Sequence, residues 1–195
     1  MIISAQKIKE LREKTGAGVS DVKKALEASA GDIEKAYALI ERALGSVAAT
    51  KAGRETKSGL IEAYVHSNSR VASLVEIFCE TDFVARTPAF KEFAHDIAMH
   101  VAAMDPSYLS LDEVPDEVWN AQRARFQEEA RGIHESKEIL DQIVDEKLKA
   151  YFGSRALLSQ PFIKDQDKTV EEVLKEAIGR FGENTKIGKF VRFKI

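Results

Sequence analysis

The sequence predicts an α+β protein: three short helices first, then a body in which an antiparallel sheet mixes with helices. Three observations carry this. Residues 4–44 place apolar side chains at helical spacing, broken twice by glycine. Residues 60–78 read as two strands around a polar turn, Ser67-Asn68-Ser69-Arg70. Beyond residue 116 the period is helical again, until a last stretch in which Val191, Phe193 and Ile195 alternate with Arg192 and Lys194.

The first helix follows Ser4, a possible N-cap, with Ala5, Ile8 and Leu11 on one side. Thr15-Gly16-Ala17-Gly18 breaks it, and two glycines permit a tight turn at positive φ. Val22, Ala25, Leu26 and Ser29 share a side of the second helix. After Gly31-Asp32 the third carries Ile33, Ala36, Tyr37, Ile40 and Leu44, with Asp32 and Glu34 at the positive end of its dipole. Residues 45–57, with Gly45, Gly53 and the charges Lys51, Arg54, Glu55 and Lys57, read as a linker or a frayed helix extension. The expected division is therefore 1–44, 45–57 and 58–195.

In the body, Leu60 to His66 and Val71 to Phe78 form the expected hairpin. Thr87-Pro88 opens a helix, Thr as N-cap and Pro at the first position, with Phe90, Phe93, Ala94, Ile97 and Val101 inward. Pro106 and Pro115 bracket a loop. Asp116 to Gly153 reads as two charged helices interrupted near Gly132, with Leu140, Ile143, Val144, Lys147 and Tyr151 along one side of the second. Leu157 to Ile163 is strand-like, with Pro161 favouring an edge or bulge. Thr169-Val170-Glu171-Glu172 has the pattern of a capping box for a helix ending near Gly182. Ile187 to Ile195 is the last of four expected strands.

The 195 residues, 44% hydrophobic and 31% charged, suffice for one domain or a small one plus a larger one. The single cysteine, Cys79, cannot form an internal disulfide, so a reducing compartment fits. No apolar run approaches the ~20 residues that span a bilayer, and the charged start lacks a signal-peptide apolar core. A cytoplasmic protein is expected. Charge is uneven: Lys and Arg number 11 against 8 acidic residues in residues 1–57, and 18 against 24 beyond. A basic head on an acidic body suggests two contact surfaces, and chance asymmetry of solvated faces is the alternative. The balance does not indicate a dedicated nucleic-acid binder.

Little in the chain suggests bond-making chemistry. The histidines are His66, His95, His100 and His134; the five-residue interval between His95 and His100 is a poor metal spacing on one helix. Cys79 follows Phe78 at a strand end and reads as a small buried filler, with a nucleophile as the rival reading. No phosphate-binding loop pattern occurs, and no metal or cofactor site is expected. The informative run is Cys79-Glu80-Thr81-Asp82-Phe83-Val84-Ala85-Arg86, between a strand and a helix. Two readings stand. Either Thr81 and Asp82 cap a turn while Phe83 folds back onto the body, or the acid and the aromatic project into solvent as a probe for a partner.

Three separated segments then decide a resemblance covering nearly the whole chain. Lys9-Glu10-Leu11-Arg12-Glu13-Lys14-Thr15-Gly16-Ala17-Gly18 with Asp21-Val22-Lys23-Lys24-Ala25-Leu26, then Thr81-Asp82-Phe83-Val84, then Gln160-Pro161-Phe162-Ile163-Lys164-Asp165 with Lys168-Thr169-Val170, resemble the bacterial elongation factor Ts family in order. The resemblance implies a guanine-nucleotide exchange factor for elongation factor Tu, without catalytic covalent chemistry. It implies that the first three helices are similar to ubiquitin-associated domains and dock on the nucleotide domain of elongation factor Tu. Lys9, Arg12, Val19 and Lys23 are the implied contact residues there, and Thr81, Asp82, Phe83 and Val84 those that dislodge the partner's Mg²⁺. Both the GDP-bound and the nucleotide-free partner would be bound. No direct nucleic-acid or membrane contact is implied.

The chain departs from the family pattern in places. Val19-Ser20 stands where many members carry two large apolar residues, which weakens the implied contact. The chain is short, and short members resemble a half that dimerises, so a homodimer is expected. The last strand has no cysteine, which excludes a covalent dimer through it. Two rivals remain: a ubiquitin-like-binding head on an unrelated body, and a hydrolase using Cys79 with a histidine.

Overall fold

The computed structural model describes residues 3–132 and 136–195; His134 lies outside them. N-terminal helices precede a mixed α+β core. The chain forms two compact units: one of Met1–Glu62, Val75–Asp96 and Glu172–Gly188, the other of Ala63–Leu74, Ile97–Glu171 and Lys189–Ile195. Strands β1 (Ser58–Val65), β2 (Val71–Cys79) and β5 (Thr185–Lys194) form a sheet in the order β1-β2-β5. The β1–β2 hairpin is closed by the His66 N–H on the Val71 carbonyl, 2.9 Å.

The first unit opens with α1 (Ala5–Thr15), α2 (Val19–Ala28) and α3 (Ile33–Lys51). Each boundary has a local cause. Ser4 accepts the Lys7 N–H to start α1. Gly16, at φ 66°, ends it with its N–H on Arg12 O at 2.8 Å. Asp32 accepts the Lys35 N–H at 3.1 Å to start α3, and that bond holds its carboxyl below the usual range. Leu11, Val22, Leu26, Ala36 and Ile40 make the small core, with Ile8, Ile33 and Tyr37 partly buried against it. Ala5, expected on the apolar side, is exposed. Residues 45–51 are the last turns of α3.

Helix α8 (Val170–Phe181) packs closely against α3: a Cβ on Gly179 would sit 2.6 Å from Leu44 Cδ2. Phe181 meets the rings of Phe90 and Phe93 on α5 (Pro88–Met104) at 5.4 and 6.0 Å between centroids. Thr87 caps α5 as the sequence predicts, its hydroxyl accepting the Phe90 N–H at 3.2 Å.

In the second unit, α6 (Asp116–Glu129) and α7 (Lys137–Gly153) pack around Trp119 and Phe152, stacked at 4.8 Å. The buried stripe of α7 is Val144, Leu148 and Phe152, flanked by partly buried Leu140 and Tyr151. Lys147, expected on the buried side, is turned outward toward Glu129 at 3.3 Å, and Leu148 takes the inward place. The predicted strand from Leu157 to Ile163 is replaced by a 3₁₀ turn, Leu157–Ser159, and a two-residue strand β3 (Pro161–Phe162). β3 pairs antiparallel with β4 (Asp165–Thr169), a polar strand that no apolar alternation announces.

His100 is fully buried beside this hairpin. Its Nε2 lies 2.9 Å from Gln160 Oε1, its Nδ1 accepts the Ile163 N–H at 3.2 Å, and its ring stacks on Phe162. Burial pushes its pKa below the ordinary histidine value.

Candidate functional site

The Thr81–Val84 run is a single helical turn, α4 (Asp82–Ala85), rather than an extended segment. A four-residue helix has too few hydrogen bonds to persist alone. Its surroundings supply the rest. Thr81 is extended and caps the turn, its hydroxyl accepting the Val84 N–H at 3.5 Å. At the other end the Thr87 hydroxyl donates to Val84 O at 2.8 Å. Ala85 and Cys79 are buried below.

Phe83 points the other way and is 82% exposed. The reading in which it folds back onto the body is thereby excluded. A phenyl ring left in water forgoes about 1.5–3 kcal/mol of burial. Asp82 is also exposed and pairs with Arg86 at 2.7 Å. Such exposed pairs contribute about 0–1 kcal/mol, so this one is readily exchanged for another partner.

A second layer fixes Thr81 and had no counterpart in the sequence reading. Both oxygens of Glu183 hold Thr81: the N–H donates to Oε2 at 3.0 Å, and the hydroxyl donates to Oε1 at 2.6 Å. Reciprocally, Glu80 Oε1 accepts the Asn184 N–H at 2.6 Å, and Arg54 lies 3.5 Å from its other oxygen. That N–H first, and then Arg54, hold the Glu80 carboxyl below its usual range. The Asn184 amide donates to Ala52 O and Arg54 O, at 3.3 and 2.7 Å, and Lys51 Nζ bonds to Gly182 O. The sole local sign was Gly182, read as a helix end; pairing across 102 residues leaves no periodic mark.

The other candidates are scattered. Lys9 and Lys23 are exposed and face Glu13 and Glu27 at 3.9 Å. Arg12 is exposed near the end of α1, and Val19 is exposed at the start of α2. His66 meets the Tyr64 hydroxyl and His95 meets Glu62, both at 3.0 Å. Among the described residues, no group of three or more His, Cys, Asp or Glu is placed to hold a metal ion. Burial, and then the Glu183 charge, push the Cys79 thiol up, and its Sγ is 3.1 Å from Thr81 O. A thiol so held is a poor nucleophile, against the hydrolase reading. No helix among the described residues is long and apolar enough to cross a membrane.

The geometry defines an α+β protein with three leading helices that displays one aromatic ring on a short turn hydrogen-bonded at both ends. The family model described as elongation factor TS matches residues 4–195. Elongation factor Ts of Rubrobacter xylanophilus is 47% identical over 195 residues, covering the whole of both chains. That of Fervidobacterium nodosum is 44% identical over 195 residues, covering all of this chain and 99% of the relative. That of Carboxydothermus hydrogenoformans is 45% identical over 194 residues, covering 89% of the relative. The chain belongs to the elongation factor Ts family, whose members are non-catalytic exchange factors.

Proposed function

We propose that this chain is the guanine-nucleotide exchange factor for elongation factor Tu in translation elongation, acting in the cytoplasm. The observation that carries the reading is the solvent-facing Phe83 on a turn that is otherwise anchored. Phe83 enters an apolar pocket of elongation factor Tu near the nucleotide site. Asp82 gives up Arg86 and takes polar groups of the partner. The switch region that holds Mg²⁺ shifts and the ion leaves. Without it the β-phosphate of GDP loses its main counter-charge. GDP departs and GTP binds.

The first 44 residues act as a docking head similar to ubiquitin-associated domains, through Lys9, Arg12, Val19 and Lys23. Residues 45–57 connect it to the body at 58–195. Linkage makes the effect reciprocal: if this chain weakens GDP and Mg²⁺ binding, GDP and Mg²⁺ weaken its grip equally. A pull-down with elongation factor Tu tests this. Capture is expected from the nucleotide-free partner, more weakly from the GDP-bound one, with loss in excess GDP–Mg²⁺. Capture indifferent to GDP–Mg²⁺ would contradict exchange.

We infer further that the chain is a homodimer. In the second unit Val65, Leu74, Val191, Phe193 and Ile195 are all exposed, Phe193 by 60%. Arg192, between two of them, turns inward to Ala102 O at 2.8 Å and Asp105 at 3.2 Å, leaving Val191 and Phe193 exposed at the end of β5, beyond the exposed Lys189. Phe193→Glu is expected to convert a dimer to a monomer in sedimentation velocity. A wild-type chain that is monomeric at tens of micromolar would end this part of the reading.

A further inference from the structure

We propose that Glu183 is the positioning residue of the exchange loop: by gripping Thr81 with both carboxylate oxygens, it sets the direction in which Phe83 is presented. The inference rests on the reading of Phe83 as the wedge.

The argument is one of constraint. Phe83 lies two residues beyond Thr81 on a turn too short to be rigid by itself. The C-terminal side of the turn is tied into α5 by the Thr87 hydroxyl. Its N-terminal side is tied through Thr81, whose N–H and hydroxyl both go to Glu183. Hydrogen bonds to an ionised carboxylate are about twice as strong as neutral ones, and a bidentate grip fixes angle as well as distance.

Glu183 is itself held. The next residue, Asn184, is locked at its backbone by Glu80 and at its side chain by the carbonyls of Ala52 and Arg54. The preceding carbonyl, Gly182 O, takes Lys51. The α8–β5 turn is therefore a fixed post, and Glu183 is its link to the loop. The Thr81 hydroxyl also serves as acceptor for the Val84 N–H, so loss of Glu183 frees the cap to rotate. A probe that must enter a pocket pays for such freedom in rate: misplacing an acting group by about 1 Å can cost on the order of 100-fold. Docking by other surfaces does not depend on this angle.

The test is stimulated mantGDP release from elongation factor Tu, measured across concentrations of full-length factor. Glu183→Ala is expected to lower the maximal release rate about tenfold, with the half-saturating concentration kept within about twofold. Glu183→Gln, which keeps one acceptor oxygen, is expected to fall between Ala and wild type. Thr81→Ala should add little to Glu183→Ala, since the two remove one interaction. Amide exchange of residues 81–86 should quicken in Glu183→Ala. Wild-type maximal rates for both Glu183 variants, with Phe83→Ala slow, would overturn the positioning role while leaving the wedge intact. So would parallel losses of half-saturation and melting temperature in both Glu183 variants. Wild-type release by Phe83→Ala overturns the wedge, and this inference with it. Should Glu183→Ala not fold, the isosteric Gln variant decides by the same rates.

Discussion

Phe83→Ala is expected to slow stimulated GDP release from elongation factor Tu by about 10- to 150-fold, with the melting temperature unchanged. The fold is indifferent because the ring is 82% exposed and takes little part in the core. The rate is sensitive because burying one Phe in a partner is worth about 1.5–3 kcal/mol, and ~1.4 kcal/mol is tenfold. The same figure bounds the proposed mechanism: a single ring is a modest lever, so that mechanism requires the rest of the coupling to come from the docking surfaces and from loss of the metal. Phe83→Leu, which keeps an apolar probe, should retain more activity than Phe83→Ala. Stopped-flow release of mantGDP at saturating factor measures both. Unchanged stimulation by Phe83→Ala would sink the wedge mechanism.

The turn that carries the exposed Phe83 was legible in the sequence because its parts are local. Thr81, Asp82 and Phe83 are adjacent, and an acid beside an aromatic at a strand end is conspicuous without a structure. The helices were legible for the same reason: a 3.6-residue period with Ser4, Asp32 and Thr87 as caps is a short-range signal. What escaped is what depends on sequence-distant pairing. Glu183 and Asn184 follow a helix-ending glycine and look like an ordinary polar turn, yet they bond to Thr81 and Glu80 about a hundred residues earlier. β4, Asp165–Thr169, is polar and pairs with only two residues, so period 2 never appears in it. The α7 stripe was misread because Leu140, Val144 and Tyr151 fit more than one helical row, and Phe152, whose contacts fix the choice, meets Trp119 on another helix.

The third family segment turns Gln160 and Phe162 inward, and Gln160 sets a large stability effect. Gln160 is 1% exposed and ties its segment to α5 and to the end of α7. Its amide donates to Met104 O at 3.2 Å and Ser154 O at 2.8 Å, and its Oε1 meets His100 Nε2 at 2.9 Å. Gln160→Leu keeps the approximate volume and leaves the buried His100 Nε2 without its partner, while the Met104 and Ser154 carbonyls, on exposed residues, can turn to water. At about 1–3 kcal/mol for one buried group left unpaired, with the two carbonyl bonds lost as well, the loss should be roughly 2–3 kcal/mol, a sizeable part of a typical total of about 5–15. Urea denaturation followed by circular dichroism measures it, and a loss below about 1 kcal/mol would mean that the network is dispensable.

The same network gives a pH dependence whose sign is fixed. The His100 Nδ1 accepts the Ile163 N–H, so Nε2 carries the proton toward Gln160 and the folded ring is neutral. Its pKa is lowered by burial from the ordinary 6.5. Protonation puts a second N–H where Ile163 already donates. The unfolded state therefore binds the proton first: the stabilisation is complete above about pH 6.5 and declines as pH falls below it. The slope cannot exceed about 1.4 kcal/mol per pH unit, the value for one proton. The carboxyls of Asp32 and Glu80 are held below their usual range, so their share is lost only at more acid pH. Between pH 7.5 and 5.5 the wild type should thus lose stability, and His100→Phe should lose less. An equal slope in both proteins would show that His100 is not the titrating group.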